Sequence, residues 1–178
     1  MGVLHHLITS KTRLRLMLKL FLDPGTEGYL RSLTREFSDS TNAVRVELNR
    51  FANQDMIISR MEKNLKIYRA NEEHPYFFDI RDLVRRYMQW DKLVENIDLE
   101  RVKNIFVIEE KSTQQFYRYV IETVDGQNCE KTVAGSLQVL LKERREINRM
   151  LHSNKPFIQV WNNRAWHAPV FVESECSK

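Results

Sequence analysis

Between Ser40 and Ala70 the hydrophobic period changes once, from that of a helix to that of a strand, and this constrains the chain more than any other feature. In S-T-N-A-V-R-V-E-L-N-R-F, residues 40–51, the apolar Val44, Leu48 and Phe51 fall at i, i+4 and i+7. One side of a helix is therefore greasy and must be covered. Ser40 is a fitting N-cap, because its hydroxyl accepts from the free N–H groups of the first turn. After the polar corner Ala52-Asn53-Gln54-Asp55, extended runs flank Lys63-Asn64 and predict a β-hairpin over 57–70 with a basic tip. Ile58, Leu65, Ile67 and Met56 are expected on its packing surfaces, with Arg60, Lys63 and Lys66 exposed.

The residues upstream supply a partner for the capped helix. Leu14, Met17, Leu18 and Phe21 recur at helical spacing between Ser10 and Leu22, and Asp23-Pro24-Gly25 is an abrupt stop. A very short strand at Tyr29-Leu30 and a short helix Arg31–Phe37, with Leu33 and Phe37 inward, are expected before the break Ser38-Asp39-Ser40. Two helices joined by a short polar turn, the second capped and polar outward, follow helix-turn-helix grammar. The outward face of 40–51 presents Thr41, Asn42, Arg45, Val46 and Asn49. Amide and guanidinium side chains there suit base edges in a major groove, and the N-terminal N–H groups suit a phosphate. The hairpin cations suit the duplex backbone, where they fix register without reading sequence. Glu47 and Glu62 run against that reading.

Composition closes other routes. The 178 residues hold 42% apolar and 10% aromatic side chains, enough for a packed core in one medium domain or two small ones. No apolar run reaches the roughly 18 to 20 residues a bilayer span needs, and Lys11, Arg13, Arg15 and Lys19 interrupt the first apolar stretch. A membrane or secretory segment is not expected. Two cysteines, Cys129 and Cys176, and five scattered histidines give neither a disulfide framework nor a metal-ligand spacing, so a reducing cytoplasm is expected and no metal or cofactor. The 28 Lys+Arg exceed the 24 Asp+Glu, and the whole surplus lies before residue 91, where 15 basic residues face 11 acidic ones.

Residues 10–90 resemble the ArsR-like winged helix-turn-helix domains of bacterial and archaeal transcription regulators. The resemblance lies in the order helix, helix, S-T-N-A-V-R-V-E-L-N-R-F recognition helix, I-I-S-R-M-E-K-N-L-K-I-Y-R-A wing, then a further helix. It implies sequence-specific binding of double-stranded DNA as a homodimer. The recognition helix 40–51 would lie in the major groove and the wing 57–70 on the backbone. Thr41, Asn42, Arg45 and Asn49 would face bases or nearby phosphates, and Arg60, Lys63, Asn64 and Lys66 would hold the backbone. This part of the chain has no Cys, so metal-controlled release is not implied.

After Asn71-Glu72-Glu73-His74-Pro75, a helix over 76–90 is predicted, with Phe77, Ile80, Leu83, Val84, Tyr87 and Met88 in a wide apolar stripe. Related regulators often use this helix to pair subunits; packing of the stripe only against the first helix and the C-terminal half is the equal alternative. The expected class is α+β, with a winged helix-turn-helix and connecting helix over 1–90. A small α/β domain of order helix-strand-strand-helix-strand is expected over 91–178. Its strands are read at 102–109, 116–124 and 157–161, its long helix within 132–151, and an edge strand at 168–172.

That order is similar, more weakly, to a minimal nucleotidyltransferase-like fold. Such an enzyme needs a Gly-Ser turn after the first strand and paired Asp residues on the next, to hold phosphates and divalent metal. Here Glu109-Glu110-Lys111-Ser112-Thr113 follows the first strand, and the second carries Arg118, Glu122 and a terminal Asp125. Catalysis is therefore not expected, and the domain is read as a module for pairing, ligand sensing or a protein partner. The alternative is a nucleotidyltransferase-like enzyme or toxin-antitoxin component positioned by its winged helix. A metal site built from Glu109, Glu110 and Glu122 is a remote option.

Overall fold

Ser10 caps the first helix, α1 (Lys11–Phe21), its Oγ accepting from the Arg13 N–H at 3.2 Å. The computed structural model describes residues 8–23, 25–109, 117–133, 137–153 and 155–163. α1 is buried around nearly its whole circumference: Leu16, Leu18 and Leu20 are as inaccessible as Leu14 and Phe21. A helix buried on nearly all sides belongs in the middle of a structure, and α1 packs against α3, α4, β3 and β8.

β1 (Gly28–Tyr29), α2 (Leu30–Phe37), α3 (Thr41–Asn53), β2 (Ile57–Glu62) and β3 (Leu65–Ala70) follow. The three strands form an antiparallel sheet of order β1-β3-β2, with Ile57 opposite Ala70 and Glu62 opposite Leu65. This matches the expected succession of elements, but the hairpin has the opposite phase. Ile58, Leu65 and Ile67 do share a face, yet it is the outer one: Ile58 and Leu65 are 39% and 42% exposed. Ile57, Tyr68 and Ala70 turn inward instead. Either of the adjacent isoleucines satisfies an alternating pattern. The end of α3 decides between them, where the Met56 N–H donates to Phe51 O at 3.0 Å and starts the strand.

The helix predicted over 76–90 forms as α4 (Phe77–Met88), and Gln89, in the left-handed region at φ 54°, separates it from α5 (Trp90–Glu95), the short helix expected to continue or restart over 91–96. Phe77, Val84 and Met88 are buried, whereas Leu83, expected in the same stripe, is exposed. Tyr76 and Phe78 are exposed as well.

A 3-10 turn (Leu99–Arg101) leads into β4 (Val102–Glu109) and β5 (Tyr117–Thr123), as expected. The long helix over 132–151 does not form. Cys129–Val133 is strand β6, Leu137–Lys142 is strand β7, and only Arg144–Leu151 is helical, as α6. Val133, Leu137, Leu140 and Leu141 fit helical spacing, but Leu137, Val139 and Leu141 also alternate, and the sheet takes that option. Gly135-Ser136 and the edge strand predicted at 168–172 lie outside the described residues. With β8 (Phe157–Asn162) the second sheet has order β6-β7-β5-β4-β8, parallel only between β5 and β7. The expected order helix-strand-strand-helix-strand is corrected to a helix, four strands, a helix and a strand, within the same α+β class.

Both faces of this sheet are covered, as its continuous apolar runs require. Phe106, Val120 and Phe157 pack with Ile147 of α6. Ile105, Val107, Tyr119, Ile121 and Val139 join one continuous core with α1, α3, α4 and α5.

Candidate nucleic-acid interface

α2 and α3 meet at Ser38-Asp39-Ser40. Ser38 adopts φ 50°, and the Asp39 N–H donates to Thr34 O at 3.2 Å, which ends α2 sharply. Ser40 Oγ then accepts from the Ala43 N–H at 3.1 Å and starts α3. The inner face of α3 carries Val44, Leu48 and Phe51, all buried, as the spacing requires.

Glu47 belongs to the inner face too. Its carboxylate accepts from Ser10 Oγ at 2.9 Å, Arg13 Nε at 3.0 Å and Arg50 Nη1 at 3.0 Å. Burial works to push this carboxyl up, but the hydrogen bonds from Arg13 and Ser10, aided by both guanidinium charges, hold it below the usual carboxylate range. The acid that counted against a polyanion-facing helix is thus turned inward and neutralised.

Thr41, Asn42, Arg45 and Asn49 are all exposed, and Val46 between them is 38% exposed. None of the four side chains has a hydrogen bond or ion pair to the described residues. A row of short polar groups, one guanidinium and one small apolar contact therefore stands free beside the N-terminus of a thirteen-residue helix.

The hairpin departs from expectation at one of its four residues. Lys63 and Asn64 form the exposed tip, with Lys63 at φ 53°. Lys66 is exposed and reaches over the Tyr68 ring, 5.4 Å from its centroid. Arg60 is not a free cation: it forms a two-pronged ion pair with Glu27 and another with Glu62 at 3.1 Å. Glu62 is thereby occupied as well. Arg31 on α2 and Arg69 on the outer hairpin face are exposed cations that sequence spacing does not single out. Nothing but their place off the apolar positions marks them.

In the C-terminal sheet the acids do not converge. Glu109 is bonded to Arg15 at one end of β4, whereas Glu122 pairs in register with Asn104 near the other. Glu122 accepts from Asn104 Nδ2 at 2.7 Å and Arg144 Nη1 at 3.1 Å. Glu110 and the residues after it lie outside the described residues. Among the described residues no three His, Cys, Asp or Glu side chains are grouped to hold a metal ion, and no helix is long and apolar enough to cross a membrane. No protein-family model, curated protein or solved structure matches the chain.

Proposed function

We propose that the chain is a cytoplasmic transcription regulator that binds double-stranded DNA sequence-specifically as a homodimer, through an ArsR-like winged helix-turn-helix. α3 enters the major groove, and the β2–β3 hairpin serves as the wing. The observation that carries this reading is the free outer face of α3, where Thr41, Asn42, Arg45 and Asn49 are exposed while Glu47 is sequestered beneath. Base edges need donors and acceptors that the protein itself does not consume. The order α1-β1-α2-α3-β2-β3 with sheet order β1-β3-β2 supports it. On the wing, Lys63, Asn64 and Lys66 neutralise phosphates. Arg60, committed to two carboxylates, contributes least.

A second copy of the chain covers α4. Tyr76, Phe78 and Leu83 are 66%, 64% and 47% exposed. Asp79 and Asp82 lie in the first half of the helix and Arg86 in the second, so antiparallel pairing about a two-fold axis sets opposite charges across from each other.

Selection from randomised duplexes with the purified chain tests the reading. The expected result is an enriched palindrome with half-sites one helical turn apart, bound with a steep salt dependence. Failure to enrich any sequence, together with salt-insensitive binding, would refute it.

A further inference from the structure

Arg15 sits where α1, the α2–α3 turn and the C-terminal sheet meet, with its side chain 7% exposed. Its Nη1 donates to Asp39 Oδ2 at 2.8 Å and to Phe37 O at 3.0 Å. Its Nε donates to Glu109 Oε1 at 2.6 Å. Asp39 also accepts from Thr12 Oγ1 at 2.8 Å, and it directly precedes Ser40, the cap of α3. One turn further along α1, Lys19 repeats the arrangement. Its Nζ pairs with Glu36 of α2 at 2.9 Å and donates to Gln159 O of β8 at 2.6 Å. Two cations at i and i+4 thus each tie the α2–α3 pair to a different strand of the C-terminal sheet.

We propose that Glu109 is a positioning residue for α3, acting through Arg15 on Asp39, so that the C-terminal sheet sets the angle at which α3 leaves its turn. A guanidinium is a rigid planar fork, and with both sides engaged it cannot move toward one acceptor without leaving another. The turn it holds includes Ser38 in the left-handed region, a conformation a non-glycine residue keeps only under restraint from its surroundings. The carbonyl of Phe37 and the carboxylate of Asp39, on either side of Ser38, are the two groups of the turn that Arg15 grips. Release of Glu109 removes the anchor that keeps Arg15 in place, and the turn loosens while the apolar face of α3 stays packed. The role of the C-terminal half is then to brace the reading helix, a consequence for binding that rests on the proposed DNA function.

The test uses the full chain and compares Glu109→Gln with Glu122→Gln. The second change disturbs a more deeply buried acid of the same sheet, one that touches neither Arg15 nor the turn. Amide hydrogen exchange and affinity for the selected duplex are measured for both. Glu109→Gln is expected to speed exchange at 38–43 by about tenfold, leave 57–70 unchanged, and weaken DNA binding by about tenfold. Glu122→Gln is expected to lower the melting temperature without either local effect. Combining Glu109→Gln with Asp39→Asn is expected to add little to either single change, because both act on one guanidinium. Equal behaviour of the Glu109→Gln and Glu122→Gln proteins at the turn, or full additivity with Asp39→Asn, overturns the proposal. Glu109→Asp, one methylene shorter with its charge kept, serves in the same comparison if Glu109→Gln does not fold. If the parent chain binds no duplex, the DNA reading fails, while exchange at 38–43 still decides the role of Glu109.

Discussion

Lys19 and Glu36 form an ion pair at 2.9 Å with side chains only 3% and 2% exposed, and both bond to the peptide groups of Gln159, whose N–H donates to Glu36 Oε2 at 3.1 Å. Burial pushes the Glu36 carboxyl up, against the pull of the Lys19 ammonium. Such a pair contributes little net stability while intact but is costly to break on one side. Lys19→Met is expected to cost about 3–5 kcal/mol in denaturant unfolding at neutral pH. An acid whose native pKa is raised binds its proton more readily folded than unfolded, so the deficit should shrink as pH falls through that raised value. The double change Lys19→Met with Glu36→Leu should recover part of the loss, the remainder reflecting the orphaned N–H and C=O of Gln159. An equal deficit at every pH would contradict this account.

Glu47 has the opposite sign. Its native pKa is lowered, so its contribution is full above the unfolded-chain value and fades as pH drops through the lower native one. Glu47→Gln should cost about 2 kcal/mol near neutrality. It should also flatten the loss of stability as pH falls below the ordinary carboxylate range. Unfolding curves of both proteins from neutrality into acid provide the check.

On the proposed interface, Arg45→Ala should remove about 1–3 kcal/mol of discrimination at one position of the selected site. Lys63→Ala should weaken binding to all sequences alike and reduce the salt slope by about one. Arg60→Ala should leave the salt slope nearly unchanged, because its charge is already met by Glu27 and Glu62. Titrations of matched and mismatched duplexes at several salt concentrations separate the three.

For α4, Leu83→Glu should convert a two-fold dimer to monomer in sedimentation equilibrium. Its melting temperature at low concentration should be unaffected, because Leu83 is 47% exposed and adds little to the fold of one chain. A parent protein that is already monomeric at tens of micromolar would remove the basis for pairing through this helix.

Gly28 is buried where β1 begins, and a Cβ there would lie 2.7 Å from Leu33 Cδ2. Leu33 is fully buried and cannot swing clear without displacing the core around α2. Gly28→Ala should therefore cost about 1–3 kcal/mol in thermal or denaturant unfolding.

Local chemistry is legible from the residues alone. Ser10 and Ser40 cap the helices they are expected to cap, and Val44, Leu48 and Phe51 form the buried side of α3, because these features depend on neighbours within a few positions. The outward placement of Thr41, Asn42, Arg45 and Asn49 follows from the same period. What escapes are relations between distant parts. Arg15 and Lys19 stand in the sequence as charges interrupting an apolar run. Their burial depends on Glu109 and Gln159, 94 and 140 positions away, which no local pattern announces. Arg60 reads as a free cation because Glu27 reaches it only through the pairing of β1 with β3. Strand β7 reads as helix because Leu137, Leu140 and Leu141 fit helical spacing while Leu137, Val139 and Leu141 alternate. The choice is made by β5 beside it, to which it pairs in parallel.

The grip of Lys19 on Gln159 also bears on how the chain is synthesised. At about 5–20 residues per second, a ribosome takes on the order of ten seconds to travel from one to the other. Throughout that interval α1 has no strand β8 to lie against, and the Lys19 ammonium group lacks the Gln159 carbonyl that receives it. The core around α1 is complete only once β8 has been made. The nascent N-terminal half is then the stretch with the greatest need of a chaperone.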